Sequence, residues 1–110
     1  MKIALISPYE STASVGVRTL SSVLRAAGFE TKLFFIPLPF EVPYDEVLMK
    51  GLSDLLNDCQ VVGISLTSNY LDRAVQLTQW IRQTGSQRIL WGGIHPTLEP
   101  QECLEHADFV

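Results

Sequence analysis

Hydrophobic positions follow two rhythms along this chain, and the rhythms alternate. Ile3 to Ile6 and the middle of Gln60 to Ser65 stay apolar over successive residues, Thr31 to Ile36 carries β-branched and aromatic residues, and Arg88 to Trp91 ends in the apolar run Ile89-Leu90-Trp91. A strand with one wet face alternates apolar and polar side chains, whereas an unbroken run describes a strand covered on both faces, as in a parallel sheet. Between these runs the apolar residues recur at intervals of three and four: Val17, Leu20, Leu24 and Ala27; Tyr44, Val47, Leu48, Leu52 and Leu55; Leu71, Ala74, Val75, Thr78 and Ile81. That spacing gives a helix one oily stripe.

Punctuation residues sharpen the limits. Gly28 supplies a left-handed stop after the first helix, and Pro37 with Pro39 forbids the second strand from continuing. Pro43 suits the first position of the second helix, with Asp45 and Glu46 in its first turn, and that helix ends near Asn57. Ser68 or Asn69 can cap the third helix, and Gly85 lies past its end. Glu99-Pro100-Gln101-Glu102 reads as the start of a short fourth helix. Asp108-Phe109-Val110 then begins a fifth strand, so the chain reads as truncated there, an N-terminal fragment of a longer protein.

Strands and helices in strict alternation, joined by short connections, predict an α/β fold with helices on both faces of a parallel sheet. The expected form is a flavodoxin-like, doubly wound sheet of order 2-1-3-4-5, with residues 1–110 as a single domain. In such sheets ligands gather beyond the carboxyl ends of the strands. The loops after strands one, three and four therefore matter most.

Composition narrows the partners. A 46% apolar and 18% charged chain has ordinary globular balance. The net charge is −4, and the eight Lys and Arg residues form no stripe, which argues against nucleic acid as a partner. No run of about 18 apolar residues offers a membrane span, and the first apolar run is too short for a secretory signal. Cys59 and Cys103 lack metal-ligand spacing and read as buried or idle thiols, with no metal site expected. Together these features fit a reducing, cytoplasmic setting.

The loops themselves carry little catalytic chemistry. No nucleophile, base and orienting acid recur at a recognisable spacing, so no catalytic residue is assigned. A receiver domain of this fold would end its third strand on an aspartate, where Ser65-Leu66-Thr67 stands, and no P-loop run is present. The loops instead offer small hydroxyls and glycines: Ser7, Ser11, Thr12, Ser14 and Gly16; Ser65, Thr67 and Ser68; Gly92, Gly93 and Thr97. Such groups can bond a large polar ligand and leave room for it, or they can simply cap helices and close turns. The Gly92-Gly93 pair shares this ambiguity, since two glycines after a strand serve either a sharp turn or the close approach of a ligand.

Ile64-Ser65-Leu66-Thr67, and Gly92-Gly93-Ile94-His95-Pro96-Thr97 followed by Pro100, Glu102 and Asp108-Phe109-Val110, resemble the N-terminal cobalamin-binding domain of radical S-adenosylmethionine proteins. The likeness runs through nearly the whole chain. It implies a flavodoxin-like domain that holds base-off cobalamin and precedes a barrel with a Cys-x-x-x-Cys-x-x-Cys motif. The [4Fe-4S] cluster and S-adenosylmethionine would belong to that downstream domain, the implied partner of this one. Members of the family include methyltransferases and the anaerobic magnesium-protoporphyrin monomethyl ester cyclase.

By position, Ser65 and Thr67 match residues lining the cavity for the cofactor's nucleotide tail, and Gly92 and Gly93 match glycines that let the tail lie against the sheet. Cobalamin domains that replace the lower cobalt ligand carry Asp-x-His-x-x-Gly after strand one, where this chain has Ser7-Pro8-Tyr9-Glu10-Ser11. Histidine ligation from that loop is thus excluded, and His95, after strand four, reads as a turn residue. His106 reads as solvated or capping. Tyr70 and Trp91 suit either a flat ligand or the core, and Arg18 either a phosphate or solvent. Two other readings share the fold: a flavin-binding electron-transfer domain using Ser11-Thr12-Ala13-Ser14, and a degenerate interaction domain without a cofactor.

Overall fold

The computed structural model describes residues 1–8, 15–36, 38, 39, 41–93, 96 and 98–110, with Val15 described by its backbone alone. The elements are β1 (Lys2–Ser7), α1 (Val15–Ala26), β2 (Glu30–Phe35), α2 (Glu46–Leu56), β3 (Val61–Ser65), α3 (Leu71–Thr84), β4 (Arg88–Gly92) and α4 (Pro100–Leu104). A 3₁₀ turn at Ser68–Tyr70 leads into α3. The four strands form one parallel sheet of order β2-β1-β3-β4. The expected fifth strand is a single parallel bridge between Leu90 and Phe109, with Trp91 N donating to Phe109 O at 3.0 Å and Phe109 N to Ile89 O at 3.1 Å. The flavodoxin-like order is present, and its last strand is just begun.

Alternation along each strand divides the core in two. Ala4, Ile6, Val62, Ile64, Ile89 and Trp91 point to the face carrying α2 and α3 and meet Met49, Leu52, Leu56, Ala74, Leu77 and Ile81. Ile3 and Leu5 point the other way and pack with Val17 of α1, joined by Leu24, Leu33 and Val61. The larger cluster is the main source of apolar burial, the dominant favourable contribution to folding.

Helix ends follow backbone accounting. Gly28, at φ +95°, closes α1 in a Schellman arrangement, with Phe29 N bonded to Leu24 O and Gly28 N to Arg25 O. Asp45, expected inside the first turn of α2, is instead its N-cap: Oδ1 accepts from Leu48 N at 2.8 Å, and Pro43 lies before the helix. Neither Ser68 nor Asn69 caps α3, because both belong to the 3₁₀ turn that precedes it. The buried stripe of α2 also differs from the expected one. Met49, Leu52 and Leu56 face the sheet, while Val47 is 81% and Leu55 55% exposed. Apolar residues occupy two overlapping stripes in this helix, and periodicity cannot choose between stripes that differ by one residue.

Trp91 is buried in the core, its Nε1 donating to Thr78 Oγ1 at 2.9 Å. His106, expected in solvent or at a cap, lies parallel to the Trp91 ring with centroids 5.3 Å apart. Cys59 and Cys103 are free, buried thiols, and burial pushes both upward from the ordinary thiol pKa.

Candidate functional site

The two faces of the sheet are unequally covered. Among the described residues α1 is the helix that packs on the Ile3–Leu5 face, and it lies over β2 and β1. The part of that face formed by β3 and β4 is left as an open groove of about 240 Å³. Its floor is Leu5, Gly63 and Leu90, which strand alternation turns to this side, and Gly16, Val17 and Leu20 of α1 form one wall. Ser65, Gly92 and Gly93 stand at its end, at the carboxyl edge of the strands.

Missing side chains shape this groove. A Cβ on Gly63 would come within 3.0 Å of Leu5 Cδ2, so glycine lets Leu5 lie flat across the neighbouring strand. The Gly92-Gly93 pair divides its labour. Gly93 has φ +106°, and a Cβ there would meet Leu66 O at 2.7 Å, so this glycine makes the turn. Gly92 has no such conformational need. A Cβ on it would meet no described atom within 4 Å and would stand in the groove, so this glycine keeps the space open. Gly92 O also accepts from Leu66 N at 2.9 Å, which ties the loop after β3 to the end of β4.

Of the residues singled out from sequence, Ser65, Gly16, Gly92 and Gly93 come together here. Thr67 is not among the groove's described lining; it precedes the 3₁₀ turn, where its carbonyl accepts from Tyr70 N at 3.0 Å. Ser11, Thr12, Ser14, Glu10, His95 and Thr97 lie outside the described residues. Leu5, Val17, Leu20, Gly63 and Leu90 were missed, because apolar lining looks like core in a sequence. Gly63, alone in an apolar strand, was the available signal.

Ser7 ends β1 on the same face as Leu5. It is buried, and its hydroxyl has no hydrogen-bond partner among the described residues. Arg18 places its guanidinium 4.8 Å from the centre of the Phe35 ring. Tyr70 and Trp91 are buried in the opposite cluster and are not placed to flank a ligand in the groove.

Charge gathers at the other end of the sheet. Asp58 bonds Lys2 at 2.7 Å and Lys32 at 2.8 Å, and Lys2 also lies 3.6 Å from Glu30. Hydrogen bonds from the two ammonium groups hold the Asp58 carboxyl well below the usual range. No group of three or more His, Cys, Asp or Glu side chains among the described residues is arranged to hold a metal. The groove thus works through shape, apolar contact and a few polar groups at its rim.

The family model of the B12 binding domain matches residues 1–110. The chain belongs to the B12 binding domain family. No individual curated protein gives a significant match. Cobalamin is accordingly the ligand to test against the geometry of this B12 binding domain. A flat heteroaromatic base on a flexible tail needs an apolar slot with a thin floor and a polar mouth. The groove has these features in Leu5, Leu90 and Val17, in Gly63 and Gly92, and in Ser65 at its mouth. The residues present fit the group. Among the described residues no helix is long and apolar enough to cross a membrane.

Proposed function

We propose that this domain holds cobalamin base-off, its nucleotide tail in the groove between α1 and the β3–β4 half of the sheet. The observation that carries the reading is Gly92: a glycine without a conformational reason, at the mouth of an apolar groove, inside the Gly-Gly signature. Leu5, Val17, Leu20 and Leu90 would exclude water from the tail, Gly16, Gly63 and Gly92 would leave it room, and Ser65 would bond its polar atoms. When bound, cobalamin supplies a cobalt centre able to carry an alkyl group. Because the first loop holds no histidine in an Asp-x-His-x-x-Gly motif, the domain's part would be to shelter the tail, with no imidazole ligand supplied from that loop.

The resemblance to radical S-adenosylmethionine proteins supports a reading in which the chemistry belongs to a downstream domain, to which this one would present the corrin. A reading frame that runs beyond Val110 into a Cys-x-x-x-Cys-x-x-Cys segment supports that context, and a frame without one removes it. Binding is tested by titrating hydroxocobalamin into the purified protein. The expected result is a saturable change in the visible spectrum and retention of colour through gel filtration. An unchanged spectrum with no retention at high micromolar cofactor would sink the proposal.

A further inference from the structure

On the face opposite the groove, α2 and α3 both begin at the carboxyl edge of the sheet, and their first residues enclose a second polar feature. Gln76 Oε1 accepts from Tyr44 N at 3.1 Å and from Arg73 Nη1 at 2.9 Å, while Gln76 Nε2 donates to Tyr44 O at 2.8 Å. One amide thereby locks the Tyr44 backbone beside the Arg73 guanidinium. Two donors in this cluster are buried and have no partner among the described residues: Tyr44 Oη, on a residue only 5% exposed, and Arg73 Nε.

Among the described residues the guanidinium has no counter-charge. No carboxylate among the described residues pairs with Arg73, and neighbouring acids are engaged elsewhere or exposed. Asp45 caps α2 through Leu48 N, Glu46 lies 3.7 Å from Lys50, and Asp72 faces solvent. A partly buried cation with an unmatched Nε–H is costly to maintain, and Nε lies on the edge of the fork that a carboxylate or phosphate takes. Burial pushes the Tyr44 phenol up to about 12, so near neutral pH it retains its proton and can donate.

We infer that Tyr44 and Arg73 form a binding site for an oxyanion of the carboxylate or phosphate class, at the same edge of the sheet as the groove and on its other face. The positive ends of α2 and α3 favour the same charge. The inference is independent of the cobalamin reading, since Gln76, Tyr44 and Arg73 line no part of the groove.

The test is a titration of the protein with sodium phosphate and, separately, sodium acetate, at constant ionic strength with sodium chloride, observing the Arg73 ¹⁵Nε–¹H signal. A saturable shift with either anion supports the site, and the anion that saturates first names its class. Tyr44→Phe keeps the ring in the core and removes only the hydroxyl; it should weaken binding about tenfold, as for one hydrogen bond to a charged group. The two Arg73 variants carry no Arg73 Nε and are followed through the Tyr44 backbone ¹⁵N–¹H signal, whose donor bonds the same Gln76 amide; Arg73→Gln should abolish saturation. Arg73→Lys, an alternative where the glutamine variant is unstable, should weaken binding by losing the fork. The inference is overturned by a shift that stays linear to about 50 mM anion, by an equal response to chloride, or by a Tyr44→Phe protein that titrates as the wild type. A lone bridging water between the two donors would produce the linear outcome.

Discussion

Gly92 and Gly93 are adjacent and identical, yet substitution should separate them cleanly. Gly93→Ala puts a Cβ against Leu66 O at a positive φ, and should cost about 1–3 kcal/mol in urea unfolding. Gly92→Ala meets no described atom and should leave stability within about 1 kcal/mol of wild type. Gly92→Leu should likewise fold, but should fill the groove and weaken hydroxocobalamin retention by at least about tenfold. Tyr44 is informative at the other end of the pH scale. Its folded pKa, raised by burial to about 12, exceeds the unfolded value near 10. The folded state therefore holds the proton more tightly, and the stability this confers is complete below pH 10 and lost as pH rises through about 12. Alkaline unfolding followed by circular dichroism should show this loss in the wild type and not in Tyr44→Phe.

At the scale of the element, α2 shows how one helix can be recognised in sequence and still be turned wrongly. Its existence follows from apolar spacing, but both Leu48-Leu52-Leu55 and Met49-Leu52-Leu56 obey that spacing. Contact with the sheet selects the second, so Leu56→Ala should cost about 2–5 kcal/mol, whereas the exposed Val47→Ser should change little. The start of the helix rests on Asp45, and Asp45→Ala should cost about 1 kcal/mol through loss of the cap. Thermal or urea denaturation of the three variants checks these values together. α1 is the complementary case: its stop at Gly28 was legible because the Schellman turn needs a left-handed residue, which glycine supplies at least cost.

For the whole molecule, uneven coverage of the sheet is the consequential fact. Among the described residues α2 and α3 bury one face, and α1 leaves the β3–β4 half of the other open, so ligand binding in that groove should couple to stability. Saturating hydroxocobalamin, at about a hundred times its Kd, should add about 2.7 kcal/mol to wild-type stability and nothing comparable to Gly92→Leu. The sequence by itself determined the parallel α/β architecture, because strand burial on both faces and helical periodicity are local patterns written at fixed spacing; the order was expected by analogy with the flavodoxin-like fold, and the structure has it for β2-β1-β3-β4. It also marked Ser65, Gly16, Gly92 and Gly93 as small residues on the ligand edge. Only the tertiary structure decided that these four share one groove with Leu5, Gly63 and Leu90, that Thr67 stands apart, and that Trp91 and Tyr70 belong to the core. Those outcomes depend on which side chains from distant segments meet across the sheet, and a one-residue rotation of a helix or a change of face alters them without altering the local pattern.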